Sequence, residues 1–272
     1  MNGTLHWDAT FPLLRLDGAG TRNFVQGQTS ADVTNTPEGA LVQTCWLTAT
    51  GRLRALLELR LRADGADVLV LAGDATDVSK GFDQVIFPAD RVRLQPITEQ
   101  RRVQPLSSNS VALWLDHNSP IPADWISDPA DPQQFERWRI EQGLAIGPGE
   151  LSANANPLEL GLADHVSLSK GCYLGQETVA KLANLGGTKQ ELRGWICNRV
   201  LSVGDTLRCN GERAGKSPAS SPLPRVLSVL LWCAVSISRQ KHWTAQRARA
   251  CNCTPCRWIN VQRSVDPNAE LC

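Results

Sequence analysis

Between residues 57 and 71 apolar and polar positions alternate. Leu57, Leu59 and Leu61 interleave with Glu58, Arg60 and Arg62, Asp64-Gly65 follows, and Val68-Leu69-Val70-Leu71 returns. The pattern predicts a hairpin turning at Asp64-Gly65, with a first strand wet on one face and a second buried on both. Phe11–Leu16, Val42–Leu47, Val92–Ile97 and Val111–Leu115 read as further strands. After Gly18-Ala19-Gly20, Thr21 stands where an N-cap belongs, ahead of a short helix carrying Phe24 and Val25; residues 26–30 read as a polar turn. Asp74 and Thr76 suit the start of a helix reaching about Phe87, with Val78, Phe82, Val85 and Ile86 inward and Pro88 as its stop. Residues 116–130 read as loop. Asp131-Pro132 opens a helix carrying Phe135, Trp138 and Ile140, which Gly143 closes. Leu158–Val166 suggests a short helix. Gly175 precedes another, Gln176 to Asn184, stopped by Gly186-Gly187. Leu192–Cys197 and Asp205–Cys209 read as strands opening a β-rich module. Strands and helices in this mixed order, with hairpins, give an α+β class rather than a βαβ array.

Composition narrows this little. The chain has 272 residues and a formal net charge of +1, so no global charge draws it to nucleic acid. The first eight residues lack a basic and an apolar region, so no secretory leader is expected. The longest nearly apolar run, Val226–Ile237, is too short to span a bilayer, and no membrane role is expected. Of nine cysteines, only Cys45, Cys172, Cys197 and Cys209 precede residue 217, as expected for reduced thiols in a cytoplasmic protein.

Near Lys216 the character of the chain changes. Residues 217–272 hold two acids, Asp266 and Glu270, against seven Lys or Arg, and five of the nine cysteines. Neither strand nor helix period persists there. Three readings compete: a metal module built on Cys251, Cys253 and Cys256, a disordered tail, and a segment translated out of frame, which the Arg, Ser, Pro, Cys and Trp content favours.

The densest candidate chemistry is Lys170-Gly171-Cys172-Tyr173-Leu174-Gly175-Gln176-Glu177. Cys172 lies just ahead of a helix N-terminus, where free N–H groups and the dipole favour an anion, and Lys170 adds positive charge. Both favour a thiolate. Gly171 and Gly175 free the backbone to present the sulfur at a surface turn, and Gln176 and Glu177 fall in the first helical turn. The competing reading is a small buried hydrophobe. No C-x-x-C accompanies Cys172, which disfavours a self-contained dithiol.

This octapeptide resembles the signature of the YgfZ family, relatives of the glycine-cleavage aminomethyltransferases. Leu14–Gly18, Phe24–Val33, Arg139–Gly143 and Pro157-Leu158-Glu159 resemble further family segments, and the likeness covers about residues 8–216. It implies aminomethyltransferase-like folate-binding lobes over 1–190, the start of a C-terminal β-barrel over 191–216, left incomplete, and an aberrant tail over 217–272. It also implies tetrahydrofolate or a folate derivative as cofactor, and iron–sulfur enzymes or assembly proteins as partners. The implied role is support of iron–sulfur cluster assembly or repair and of iron–sulfur-dependent tRNA modification, with Cys172 and Lys170 at the reacting site. By position, Phe11 and Phe135 correspond to aromatic residues that contact folate, and Glu141 to an acid that binds the pterin; core packing and a solvated helix residue are the alternatives. The transferases carry an Asp pair where this chain has Thr50-Gly51-Arg52-Leu53-Arg54-Ala55. Without a base there, aminomethyl transfer of the glycine-cleavage type is the lesser expectation.

Overall fold

The computed structural model describes residues 3–107, 110–146, 150–151, 155–184 and 188, and the backbone of 190–197, 206–209, 212–216, 227–234 and 257–259. The first half is one antiparallel sheet. Its strands are β1 (His6–Asp17), β2 (Leu41–Leu47), β3 (Leu53–Arg62), β4 (Gly65–Ala72), β5 (Arg93–Leu94), β6 (Thr98–Pro105) and β7 (Leu113–Leu115). The order is β2-β3-β4-β1-β6-β7, and β5 pairs with the end of β1. Four helices are described: α1 (Thr21–Gln28), α2 (Ala75–Asp83), α3 (Pro132–Glu141) and α4 (Gln176–Asn184).

The hairpin forms as its alternation predicts, one residue early. Arg62 pairs with Gly65, so Ala63-Asp64 make the turn. One face of the sheet carries Leu14, Leu16, Leu57, Leu59, Leu61, Val68 and Val70, covered by Phe24 and Val25 of α1 and Val78 and Phe82 of α2. Helix α1 starts one residue before expectation. Gly20 is its N-cap and Thr21 its first, buried residue. A side chain at Gly20 would drive its Cβ to 1.7 Å from the Asp90 carbonyl oxygen, so only glycine fits. The helix also runs through most of the expected polar turn, to Gln28. Asp74 caps α2 through the Thr76 and Asp77 amides, but the helix ends at Asp83 and leaves Val85 exposed. Phe87, extended before Pro88, opens a separate short 3-10 turn.

The sequence pattern does not predict strand β6, yet it pairs with β1 over eight residues. Its sequence, TEQRRVQP, has no apolar alternation because its charges are satisfied within the sheet: Arg101 binds Asp8 and Arg102 binds Glu58. Helix α3 bears the expected cap, a reciprocal Asp131–Gln134 box with Pro132 behind it, and Gly143 (φ +68) turns the chain out. In place of the expected helix at 158–166 there is only a 3-10 turn, Ala163–His165.

The opposite face of the sheet bends inward. Strand pairing puts Trp7, Phe11, Gln43, Glu58, Arg60, Asp67, Arg102 and Trp114 on this face. Trp114 on β7 donates its indole N–H to Glu58 on β3 at 2.7 Å, and Arg60 of β3 lies over the Trp114 ring at 4.6 Å. In a flat sheet these strands would stand roughly 19 Å apart, four steps of about 4.8 Å, beyond the reach of the two side chains. The sheet is therefore curled around this face.

A second sheet has the order β12-β8-β11-β10-β9, with β8 (Gln190–Cys197), β9 (Thr206–Cys209), β10 (Glu212–Lys216), β11 (Leu227–Ala234) and β12 (Arg257–Ile259). Strands β8 and β9 match expectation. Within 217–272, where a break was expected, β11 and β12 are the described parts; Cys251, Cys253 and Cys256 lie outside the described residues, as do Gly186 and Gly187. Among the described residues no group of three or more His, Cys, Asp or Glu is placed to hold a metal, and no helix is long and apolar enough to cross a membrane.

His6 gives this fold a pH dependence. It is fully buried against Trp125, and neither ring nitrogen has a hydrogen-bond partner among the described residues. Burial lowers its pKa, Asp8 opposes that, and Arg101 adds to the lowering. The neutral ring is thus favoured in the folded state, and stability present above the ordinary histidine pKa is lost as pH falls below it. Thermal unfolding of the full chain at pH 7.5 and 5.5 should show a larger drop for the native sequence than for His6→Phe; equal drops would exclude His6 as the cause.

Candidate functional site

The cysteine loop, the Thr50–Ala55 stretch and the Pro157-Leu158-Glu159 segment meet at one end of the curled face, whereas Leu14, Leu16, Phe24 and Val25 pack on the other face. Cys45, Leu47, Leu53, Leu56 and Ala72 of the sheet pack with Ala145, Ala155, Leu160, Leu162, Tyr173 and Val179. Tyr173 is thus the inward anchor of the cysteine loop. Burial, with the nearby Cys45 thiol, pushes its hydroxyl up to about 12, and that hydroxyl has no hydrogen-bond partner among the described residues. Burial likewise pushes Cys45 up to about 12, against a hydrogen bond with Ser30, so Cys45 is an inert core thiol. Cys172 is exposed, and so is Gly171 beside it.

The loop is pinned at both flanks of the thiol. Gly175, at φ +83, lies against the Thr48–Arg52 turn, where an added Cβ would meet the Thr48 carbonyl oxygen at 2.5 Å. Gly51 of that turn, at φ +70, faces Thr178 of α4, where an added Cβ would meet the Thr178 Cβ at 2.9 Å. The turn is closed by Gly51 N–H to Thr48 O (2.9 Å) and Arg52 N–H to Thr48 Oγ1 (3.0 Å). Gln176, at the start of α4, reaches back to donate to the Lys170 carbonyl at 3.1 Å. Glu177 is exposed in the same turn. Pro157-Leu158-Glu159 also joins here. Glu159 accepts from the Asn156 amide, approaches Arg52 at 3.6 Å and offers its carbonyl to the Leu192 amide.

Lys170 is buried, and its ammonium donates to the Thr29 and Ala31 carbonyls, both at 2.7 Å. Burial lowers its pKa to about 8, with Asp32 pulling the other way.

The aromatic candidates converge on a residue the sequence reading missed. Phe135 stacks on Trp7 (4.1 Å, 21°), and Phe11 meets the same indole edge-on at 5.4 Å. The signal that could have found Trp7 is its position four residues ahead of Phe11 on one strand, which places both on one face. On the same face lies Glu58, which accepts from Arg102 through both oxygens (2.9 Å each), from Trp114 and from Gln43. Burial alone raises the Glu58 carboxyl; the Arg102 hydrogen bonds and charge, with Trp114 and Gln43, bring it below the usual carboxylate range. Glu141 ends α3, and its side chain lies outside the described residues. In the Thr50–Ala55 stretch, Arg54 lies 3.9 Å over Trp46 and pairs with Asp77 of α2, while Ala55 is buried in the core.

No family model matches the chain. A chloroplastic protein of Arabidopsis thaliana, provisionally named a transferase, is 26% identical over 264 residues, covering 79% of this chain and 61% of that protein. The chain therefore spans about three fifths of the length of that relative. The crystal structure of glycine cleavage system aminomethyltransferase T from Bartonella henselae superposes with a TM-score of 0.65, at 12% identity, over 85% of this chain and 78% of that one. This chain has the aminomethyltransferase T fold. Within that fold, the glycine-paired turn, the Cys172 loop and the aromatic cluster around Trp7 all belong to the curled face of the first sheet or its margin.

Proposed function

We propose that this chain binds tetrahydrofolate or a folate derivative on the curled face, beside Trp7, Phe11 and Phe135, with Glu141 as the acid for the pterin. Through Cys172 it supports iron–sulfur cluster assembly or repair and iron–sulfur-dependent tRNA modification. One observation carries the reading: the KGCYLGQE loop buries Lys170, Tyr173 and Gly175 and leaves the Cys172 thiol exposed. A loop built only to fill the core would turn its small apolar residue inward. The half-buried aromatic rings on the curled face suit a flat heterocycle. The likeness of the fold to an aminomethyltransferase supports the folate assignment.

The test is complementation of a strain lacking its own protein of this kind. The native chain should restore iron–sulfur enzyme activity and Cys172→Ala should leave it near the deletion level, with both proteins folded by circular dichroism. Full restoration by Cys172→Ala would remove the thiol from the function. The one-carbon transferase reading is the alternative, and the stretch Thr50–Ala55 argues against it, since it holds no acid to serve as the base. Formation of methylene-tetrahydrofolate from a lipoyl-linked aminomethyl donor would reverse the ranking.

A further inference from the structure

We infer that Lys170 is a positioning residue: it pins the cysteine loop onto the backbone of Thr29-Ser30-Ala31 and fixes the direction in which Cys172 points. The inference rests on Cys172 being the working thiol. It gives Thr29-Ser30-Ala31, directly after α1, a task as the receptor for that loop.

The contacts are numerous and specific. An ammonium has three N–H donors. Two go to the carbonyls of Thr29 and Ala31 at 2.7 Å, and the ammonium stands 5.1 Å from the Tyr173 ring centroid, within cation–π range. The same two segments are tied twice more. Ser167 N–H donates to Ser30 O at 2.8 Å, and the Ser30 hydroxyl donates to His165 O at 2.6 Å. Ser167 Oγ also accepts from the Lys170 amide at 3.1 Å, which stiffens the loop itself. Ser30 is in turn fixed to β2, its Oγ accepting from the Cys45 amide at 2.9 Å. The path from the sheet through Ser30 to Lys170 is therefore continuous. From Lys170 the chain runs through Cys172 to Gln176, whose side-chain amide closes the loop on the Lys170 carbonyl.

A pin and an electrostatic activator behave differently with pH. Among the described residues, the charged and titratable groups shown to act on the ammonium or its loop include Asp32, on the segment after α1, and Tyr173, on its own loop, with Cys45 behind that ring. Once Lys170 loses its proton it ceases to be a cation, but a neutral amine still has two N–H donors for its two carbonyls. Pinning therefore persists through the titration of Lys170, whereas an effect of its charge on the thiol ends there.

The experiment uses the full chain and compares native protein, Lys170→Met, which keeps the length and removes the donors, and Lys170→Arg, which keeps the charge and donors. Amide exchange is followed by mass spectrometry from pH 7 to 9.5, corrected for intrinsic base catalysis, and iodoacetamide alkylation is read on the peptide containing Cys172. The expected result is exchange about tenfold or more faster at 29–31 and 165–172 in Lys170→Met at every pH, with β3–β4 unchanged. Native protection of the loop stays flat through pH 8, the alkylation midpoint of Cys172 moves by less than about half a unit, and Lys170→Arg recovers part of the protection. Two results overturn the inference: a midpoint raised by more than that with unchanged loop exchange, which makes Lys170 an activator, or equal loss of protection in β3–β4, which makes it a general stabiliser. Failure of Cys172→Ala to impair complementation would sink the functional reading while leaving these loop measurements intact, so the two failures are distinguishable.

Discussion

Glu58→Ala should destabilise the chain by about 3–5 kcal/mol, enough to remove much of the stability of an ordinary domain. Glu58 is 2% exposed and its carboxylate holds four hydrogen bonds. Its removal leaves the Arg102 guanidinium, also 2% exposed, without its counter-charge and leaves the Trp114 N–H without its acceptor. It also releases the clasp that holds β7 against β3, so the curl of the sheet should relax together with its stability. The double variant Glu58→Leu/Arg102→Met removes both charges and fills part of the space, and should recover much of the loss, because a buried ion pair is seldom better than apolar volume. Urea unfolding of the three proteins decides it. A Glu58→Ala cost below about 1 kcal/mol, the scale of a surface pair, would mean that the clasp is solvated and that the sheet does not depend on it. On the proposed folate role, binding followed by tryptophan fluorescence should fall in the single variant.

This clasp also shows where sequence stops being legible. The alternation of Leu57, Leu59 and Leu61 against Glu58, Arg60 and Arg62 correctly places a strand, and its leucine face is the one that α1 and α2 cover. It implies that Glu58 is wet, and that fails. The partners that allow a carboxylate to be buried are 44 and 56 residues away, Arg102 on a strand without alternation and Trp114 on a strand whose pattern does not show which residue it meets. A period of two reports which side a residue faces; it says nothing about whether the sheet bends to close over that side. The capped starts of α2 and α3 were more legible because their signals are local. Asp131 with Pro132 and Gln134, and Asp74 before α2, satisfy amides within three residues of themselves. Lys170 lies between these cases. Its nearness to Cys172 along the chain was visible, but the direction of its ammonium depended on carbonyls 139 and 141 residues upstream. The exposed thiol was legible as a loop flanked by glycines. That the two glycines do unlike work was not.

The two glycines around Cys172 supply the sharpest contrast. Gly175 sits at φ +83, and a Cβ there would meet Thr48 O at 2.5 Å and the Gly51 Cα at 3.0 Å. Gly171 is not at positive φ and would place a Cβ in open space, with nothing within 4 Å. Gly175→Ala therefore carries two costs: a left-handed backbone at about 1–2 kcal/mol and a forced separation of backbones at roughly 1–3 kcal/mol. Neither obstacle is the tip of a flexible side chain, so neither yields easily. The first turn of α4 must move away from Gly51, and the loop between Lys170 and Gln176 moves with it. Gly175→Ala should lower stability by about 2–4 kcal/mol, raise amide exchange at 48–52 and 173–178, and impair complementation although Cys172 is retained. Gly171→Ala should lie within about 0.5 kcal/mol of the native chain and complement normally, because it alters neither a contact nor a forbidden angle. The two glycines flank the thiol in sequence, so a difference between them must come from the approach of the Gly51 turn. Equal tolerance of both substitutions would show that this approach does not hold α4 in place, and that the outward placement of Cys172 does not depend on it.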